Sequence, residues 1–139
     1  MQTLVDDDGR RYVLVKRSDE SSLVRDPETG EETYRPNDAL TPVDDTSALE
    51  AAAAGLDDAT RRAVLACPDD RALGLLVEVV DRGPTAAETL TDAYDLCESD
   101  LHGILGEFRA AGLVTETTVA GVPGYEPTAD ARRVVDRLR

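Results

Sequence analysis

Apolar and polar positions follow two different rhythms along this chain. Up to residue 43 they alternate, as in strands; from residue 69 onward they recur three and four apart, as on helices. In the first part "TLV" (3–5) runs into "DDDG", a turn that Gly9 completes. "RRYVLVKR" (10–17) is β-branched and aromatic at its centre and charged at both ends, and "SDES" breaks it. "SLVRD" (22–26), the turn "PETG" (27–30) and "EETYR" (31–35) make a hairpin that Pro36 ends, with Gly30 placed where a positive φ is allowed. The expectation is a small antiparallel β meander. Such a sheet is marginal alone and must pack on the rest of the chain or on a second copy.

Residues 36–47 carry two prolines and read as linker. Ser47 and Glu50 fit a capping box for "ALEAAAA", which should stop at Gly55 as a C′ residue. Asp57 or Asp58 caps a short helix to about Ala66, and Pro68 ends it. The next helix starts at Asp69 and stops at Gly83. Ala72, Leu73, Leu76, Val77 and Val80 form one stripe and Leu75 and Val79 another, which predicts burial on two sides. Thr85 to Glu88 fits a second capping box, for a helix over 86–95 with Ala86, Leu90, Ala93 and Tyr94 inward. Ser99 is the expected N-cap of the next helix, whose inward stripe is Leu101, Ile104, Leu105 and Phe108 and whose C′ residue is Gly112. "LVTETTV" (113–119) alternates like a strand, "AGVPG" (120–124) is a tight loop and "YEP" a short return strand. Thr128 caps a last helix with Ala131, Val134, Val135 and Leu138 inward and Arg132, Arg133 and Arg137 outward. The fold class is α+β: a small antiparallel β domain over 1–43, a linker with short helices over 44–68, and a mainly α domain over 69–139.

Charge changes how the surface is read. The chain has 29 Asp and Glu against 15 Lys and Arg, a formal net charge of -14, and Lys16 is its single lysine. Asp outnumbers Glu, and with no Trp and one Phe the core must be built from Leu, Val and Ala. This composition resembles that of proteins from salt-accumulating archaea, where hydrated carboxylates keep proteins soluble and salt screens their repulsion within about 3 Å at 1 M. In dilute cytosol such acidity argues against nucleic-acid partners; as a solvent adaptation it carries no information about them. No apolar run is long enough for a membrane span, and the N-terminal "MQTLVDDDGRR" is too acidic for a signal peptide, so a soluble, cytoplasmic protein with no membrane partner is expected. Cys67, Cys97 and His102 show no metal-ligand spacing; buried thiols are the plain reading, and a redox role for Cys97 before a helix N-terminus is opposed by Glu98 and Asp100.

From residue 69 the order is helix, helix, turn, helix, strand, loop, strand, helix. Within it, "ESDLHGILGEFRAAGLV" places Ser99, Leu101, Leu105, Phe108, Gly112, Leu113 and Val114 in the run that marks a recognition helix and its entry to a wing. This resembles the winged helix-turn-helix domain of ArsR-, MarR- and TrmB-type transcriptional regulators, over about half of the chain. The resemblance implies a recognition helix over about 99–111, a wing over about 113–127, a homodimer and double-stranded DNA as partner. It places Ser99, Asp100, His102, Gly103, Gly106 and Arg109 towards DNA, Ser99 and His102 as hydrogen-bonding groups and Arg109 near the phosphates. Arg10, Arg11 and Arg17 on the first strands are further candidate contacts, and Lys16 lies among them. Two features depart from the pattern: residues 115–126 contain no Arg or Lys, and Glu107 lies on the outer face. The alternative is a winged-helix module that binds a protein partner without DNA. No nucleophile–base pair and no Gly-rich phosphate loop is present, so no enzymatic activity and no cofactor are expected.

Overall fold

The computed structural model describes residues 1–139, and the chain divides into two compact units, Met1–Arg61 and Arg62–Arg139. The class is α+β, and no helix is long and apolar enough to cross a membrane.

In the first unit the alternating segments pair as β1 (Thr3–Val5), β2 (Arg11–Arg17), β3 (Ser21–Arg25) and β4 (Glu32–Pro36), an antiparallel meander. A fifth strand, β5 (Thr41–Val43), falls in the stretch expected as linker. It pairs antiparallel with β1, giving the order β4-β3-β2-β1-β5. Pro42 lacks an amide proton and so fits only an edge strand, and a three-residue strand shows no alternation to read. On one face Leu4, Tyr12 and Val24 make a small core, with Leu14 and Leu40 against it. Leu40 follows a single 3-10 turn, Asn37–Ala39, fixed by a hydrogen bond from Ser22 Oγ to Asn37 at 2.6 Å and from Asn37 Nδ2 to Ser18 O at 2.8 Å. The helix α1 (Ala48–Ala54) has the expected capping box: Ser47 accepts from Glu50 N and Glu50 accepts from Ser47 N. It packs on β2, so the first unit extends past residue 43 and takes in much of the expected linker. α1 does stop at Gly55, but at φ -73 rather than in the left-handed region. Glycine is needed there for space, since a Cβ would lie 2.2 Å from Pro27 O.

The helix α2 (Asp58–Ala66) begins in the first unit and ends in the second, with Asp57 accepting from Thr60 N at 3.1 Å. The second unit continues with α3 (Asp70–Arg82), β6 (Thr85–Ala86), α4 (Ala87–Tyr94), α5 (Glu98–Ala110), β7 (Val114–Val119), β8 (Val122–Pro127) and α6 (Ala129–Leu138). Its core combines Leu76, Val79, Leu90, Leu101, Leu105, Phe108, Leu113 and Val134, all essentially buried. The three strands form an antiparallel sheet in the order β6-β8-β7. Gly124 lets β6 come close, because a Cβ there would lie 2.5 Å from Thr85 O. β7 and β8 meet in a two-residue turn with positive φ at both Ala120 and Gly121, shorter than the expected loop over 120–124.

Several local expectations differ. α3 buries one stripe, Ala72, Leu75, Leu76 and Val79, while Leu73 is 39% exposed and Val77 and Val80 are half-buried. Thr85 does not cap α4; it is in β6, and its hydroxyl donates to Gly83 O at 2.9 Å. Ala86 is the N-cap and Ala93 faces solvent. Cys97, rather than Ser99, caps α5, its Sγ accepting from Asp100 N at 3.4 Å. On α6 Leu138 is exposed while Ala131, Val134 and Val135 are buried.

Candidate nucleic-acid interface

α5 is held at both ends, and that fixes the face it shows to solvent. At its C-terminus Gly112 is left-handed at φ +72. Gly112 N donates to Arg109 O at 3.1 Å and Leu113 N to Phe108 O at 2.8 Å, the pair of bonds that closes a Schellman end. Leu113 is thereby turned into the core, where it is fully buried. Arg62 Nη1 donates to Ala111 O, one of the carbonyls left open at the helix end, and Arg62 Nη2 to Asp130 at 2.7 Å in the first turn of α6. Thr128 Oγ1 donates to Gly112 O at 2.7 Å, so the end of α5 and the start of α6 are tied together. Burial of Leu101, Leu105 and Phe108 then turns Ser99, Asp100, His102, Gly103, Gly106, Glu107, Arg109 and Ala110 outward, all exposed.

The structure brings six predicted residues, Ser99, Asp100, His102, Gly103, Gly106 and Arg109, onto this one face. Gly103 and Gly106 leave it open, since a Cβ at either would have nothing within 4 Å. The polar members have partners inside the unit. Arg109 is ion-paired with Glu116 of β7. Asp100 lies 3.6 Å from Arg71 of α3. His102 Nδ1 is 3.3 Å from the Tyr125 hydroxyl, and His102 Nε2 is 3.6 Å from Glu98. Ser99 Oγ is 3.3 Å from Cys97 Sγ. A cleft of about 560 Å³ beside His102 is rimmed by Glu88, Asp92 and Glu98 and floored by Leu101 and Pro123. Glu98–His102 is an i,i+4 pair that the sequence displays; Glu116, Tyr125 and Arg71 as partners depend on the hairpin and on α3, and nothing local signals them.

The three sheet candidates do not form one patch. Arg10 is paired with Asp26, whose charge raises the pKa of its guanidinium; Arg11 is bonded to Asp45 at 3.0 and 3.1 Å and to Thr46 at 3.1 Å. The hydrogen bond with Asp45 raises the Arg11 pKa and holds the Asp45 carboxyl below its ordinary value. Arg17 is exposed at the other end of β2, roughly 20 Å from Arg11 at strand spacing. Arg10 and Arg11 instead border a cleft of about 340 Å³ with Pro27, Ala51, Ala54 and Gly55. Cys97 is exposed and Cys67 half-buried, both free thiols, and burial raises the Cys67 pKa.

The chain belongs to a family of unknown function. The family, DUF7346, is matched over residues 1–139, so both units lie within the matched region. No curated protein and no solved structure matches the chain. Chemically, the α5 face offers a small-residue surface with hydrogen-bonding groups at Ser99 and His102 and one guanidinium at Arg109. Exposed ion pairs such as Arg109–Glu116 contribute only about 0–1 kcal/mol, so an external anion can replace the carboxylate at low cost.

Proposed function

We propose that residues 62–139 form a winged helix-turn-helix domain and that the protein is a DNA-binding transcriptional regulator acting as a homodimer. One observation carries the reading: the order α3-β6-α4-α5-β7-β8-α6, with strands arranged β6-β8-β7, leaves the outer face of α5 uncovered beside a two-stranded wing. Gly103 and Gly106 let that helix sit close to a groove floor, Ser99 and His102 reach base edges or phosphates, and Arg109 meets a phosphate in exchange for Glu116. The test is selection of duplex sequences by the purified full chain, followed by titration from about 0.2 to 3 M KCl, because phosphate contacts give a slope of about -0.9 each in log K against log salt. A preferred sequence, bound with a shallow slope and lost in Arg109→Glu, is the expected result. No preferred sequence at any salt overturns it.

A second reading is favoured by the carboxylates around α5. With Arg109 paired to Glu116, Glu107 exposed and the cleft rimmed by Glu88, Asp92 and Glu98, the face suits a protein partner with basic side chains. Glu116→Gln separates the two: releasing Arg109 strengthens duplex binding in the first reading and leaves it absent in the second.

A further inference from the structure

We infer that the part of the β2–β3–β4 sheet left open around Tyr34 binds single-stranded nucleic acid, with a base stacked on Tyr34 and phosphates held by Lys16 and Arg25. The registers decide which side chains share that face. Leu14 pairs with Val24, whereas Lys16 pairs with Leu23, because the strand is bulged between Leu14 and Lys16. In a regular strand Lys16 would share the Leu14 side, which carries the Tyr12 and Val24 core. The bulge turns it to the opposite side. There it lies in a row with Leu23 and, across the next strand, Tyr34. Arg25, two residues beyond Leu23, is on the same face, half-buried opposite the buried Val13 where α1 packs on β2, so the open part of the face runs from Arg25 out to Lys16 and Tyr34.

Three observations point to this ligand class. Tyr34 is 61% exposed, stands opposite the half-buried Leu23 in the register and makes no ring contact with a cation, unlike Tyr12 with Arg35 and Tyr94 with Arg82. Lys16 and Arg25 make no ion pair, although the chain carries almost twice as many acids as bases and Glu32 is across from Arg25. Of the other first-unit arginines at the sheet, Arg10, Arg11 and Arg35 reach Asp26, Asp45 and Asp6, while Arg17, in register with the buried Ser22, makes no ion pair. An aromatic ring beside unpaired cations on an open sheet is the combination that binds unpaired bases: the ring stacks on any base face and the cations neutralise phosphate. In a duplex the base faces are already stacked on one another, which is why the ring selects single strands. The inference concerns the first unit only and does not depend on the reading of α5.

The experiment is fluorescence anisotropy of labelled oligothymidine and oligoadenosine of about ten nucleotides, a length within the usual site sizes. The same sequences as duplex and dextran sulfate as a base-free polyanion serve as competitors. Tyr34→Ala is expected to weaken binding about 5- to 100-fold and Tyr34→Phe to keep it within about 2-fold, since stacking needs the ring alone. Lys16→Glu and Arg25→Glu should each flatten the salt slope by about 0.7. Arg139→Ala, which removes a cation paired with Asp81 in the other unit, should change nothing. Equal affinity of Tyr34→Ala and the wild type for single strand, a loss in Tyr34→Ala as large for duplex as for single strand, or displacement by dextran sulfate as effective as by oligonucleotide would each overturn the proposal. Circular dichroism confirms that each variant keeps its sheet, and a Tyr34→Ala chain that lost it would leave the Phe variant and the two charge reversals to decide.

Discussion

In the second unit, arginines link elements: Arg62 joins the end of α5 to the start of α6, Arg109 joins α5 to β7, and Arg139 reaches Asp81 of α3 at 2.8 Å. In the first unit the arginines near α1 and the turns are paired in the same way, while Lys16 and Arg17 beside the β2–β3 turn, and Arg25 at the far end of β3, make no ion pair. The difference is not visible in composition, which counts all of these cations alike. It follows from topology. A helical unit brings helix ends and hairpin edges together, so most guanidiniums find a carboxylate or an open carbonyl, although Arg82 reaches the Tyr94 hydroxyl instead and Arg132 makes no ion pair. A sheet spreads its side chains over two faces, and the part of a face that no element covers offers its cations only to solvent or to a ligand.

The largest effect should separate the two ways of holding structure. Phe108 is fully buried among the leucines of α5 and its neighbours, and Phe108→Ala should cost about 3–5 kcal/mol in chemical denaturation. A loss near 1 kcal/mol would mean that the second unit is held by its polar links more than by its core. Next comes Arg62, about a quarter exposed in its pairing with Asp130. Arg62→Ala leaves the Ala111 carbonyl and Asp130 without that partner and should cost about 1–3 kcal/mol. Arg71→Ala removes the more exposed pair with Asp100 and should cost less than about 0.5 kcal/mol. Equal losses in the two variants would show that the position of Arg62 between helix ends carries no special weight.

How much of this could be read in advance depended on the range of the interaction. Helix starts, stops and inward stripes are set within a few residues, and so α5 with Leu101, Leu105 and Phe108 inside and Gly112 at its end was legible, as were the turns at Gly9 and Gly30. Three features were not. β5 is three residues long with a proline at its centre, and it is a strand only because β1 offers a free edge. Gly55 is glycine because Pro27, far along the chain, comes close. Cys97 displaced Ser99 as the cap because the chain enters α5 two residues earlier than the Ser–acid pattern indicates. At the candidate site, the outward set on α5 follows from the inward one, whereas its ion-pair partners Arg71 and Glu116 belong to other elements. In the sequence Lys16 is one basic residue in a run with Arg17, and only the bulge puts it on the same face as Tyr34.

A smaller effect tests the first unit's helix. Ser47→Ala removes half of the capping box on α1 and should cost about 1 kcal/mol at neutral pH. Glu50 is the other half, and its carboxyl is held below its ordinary pKa by the hydrogen bond from the Ser47 backbone. A depressed folded-state pKa gives stability that is present above the unfolded value and lost as pH falls through the folded one. The wild type should therefore lose this contribution below about pH 4, and Glu50→Gln should lose stability less steeply there. Asp45 and Asp81, lowered mainly by hydrogen bonds from Arg11 and Arg139, add to the same acid limb.

The smallest expected effect is the sharpest for the comparison. Lys16→Ala and Arg25→Ala should each change the folding free energy by less than about 0.5 kcal/mol, because neither side chain has a carboxylate partner to strand. Removing a cation that balanced the acidic surface would instead destabilise the chain, and more so at low salt, where repulsion among its carboxylates is least screened. Stability of both variants measured at about 0.1 and 2 M KCl distinguishes the cases. A loss that grows as salt is lowered would assign Lys16 and Arg25 to charge balance within the fold. No loss at either salt would leave them as cations that folding does not use, on the one sheet face where an aromatic ring is also exposed.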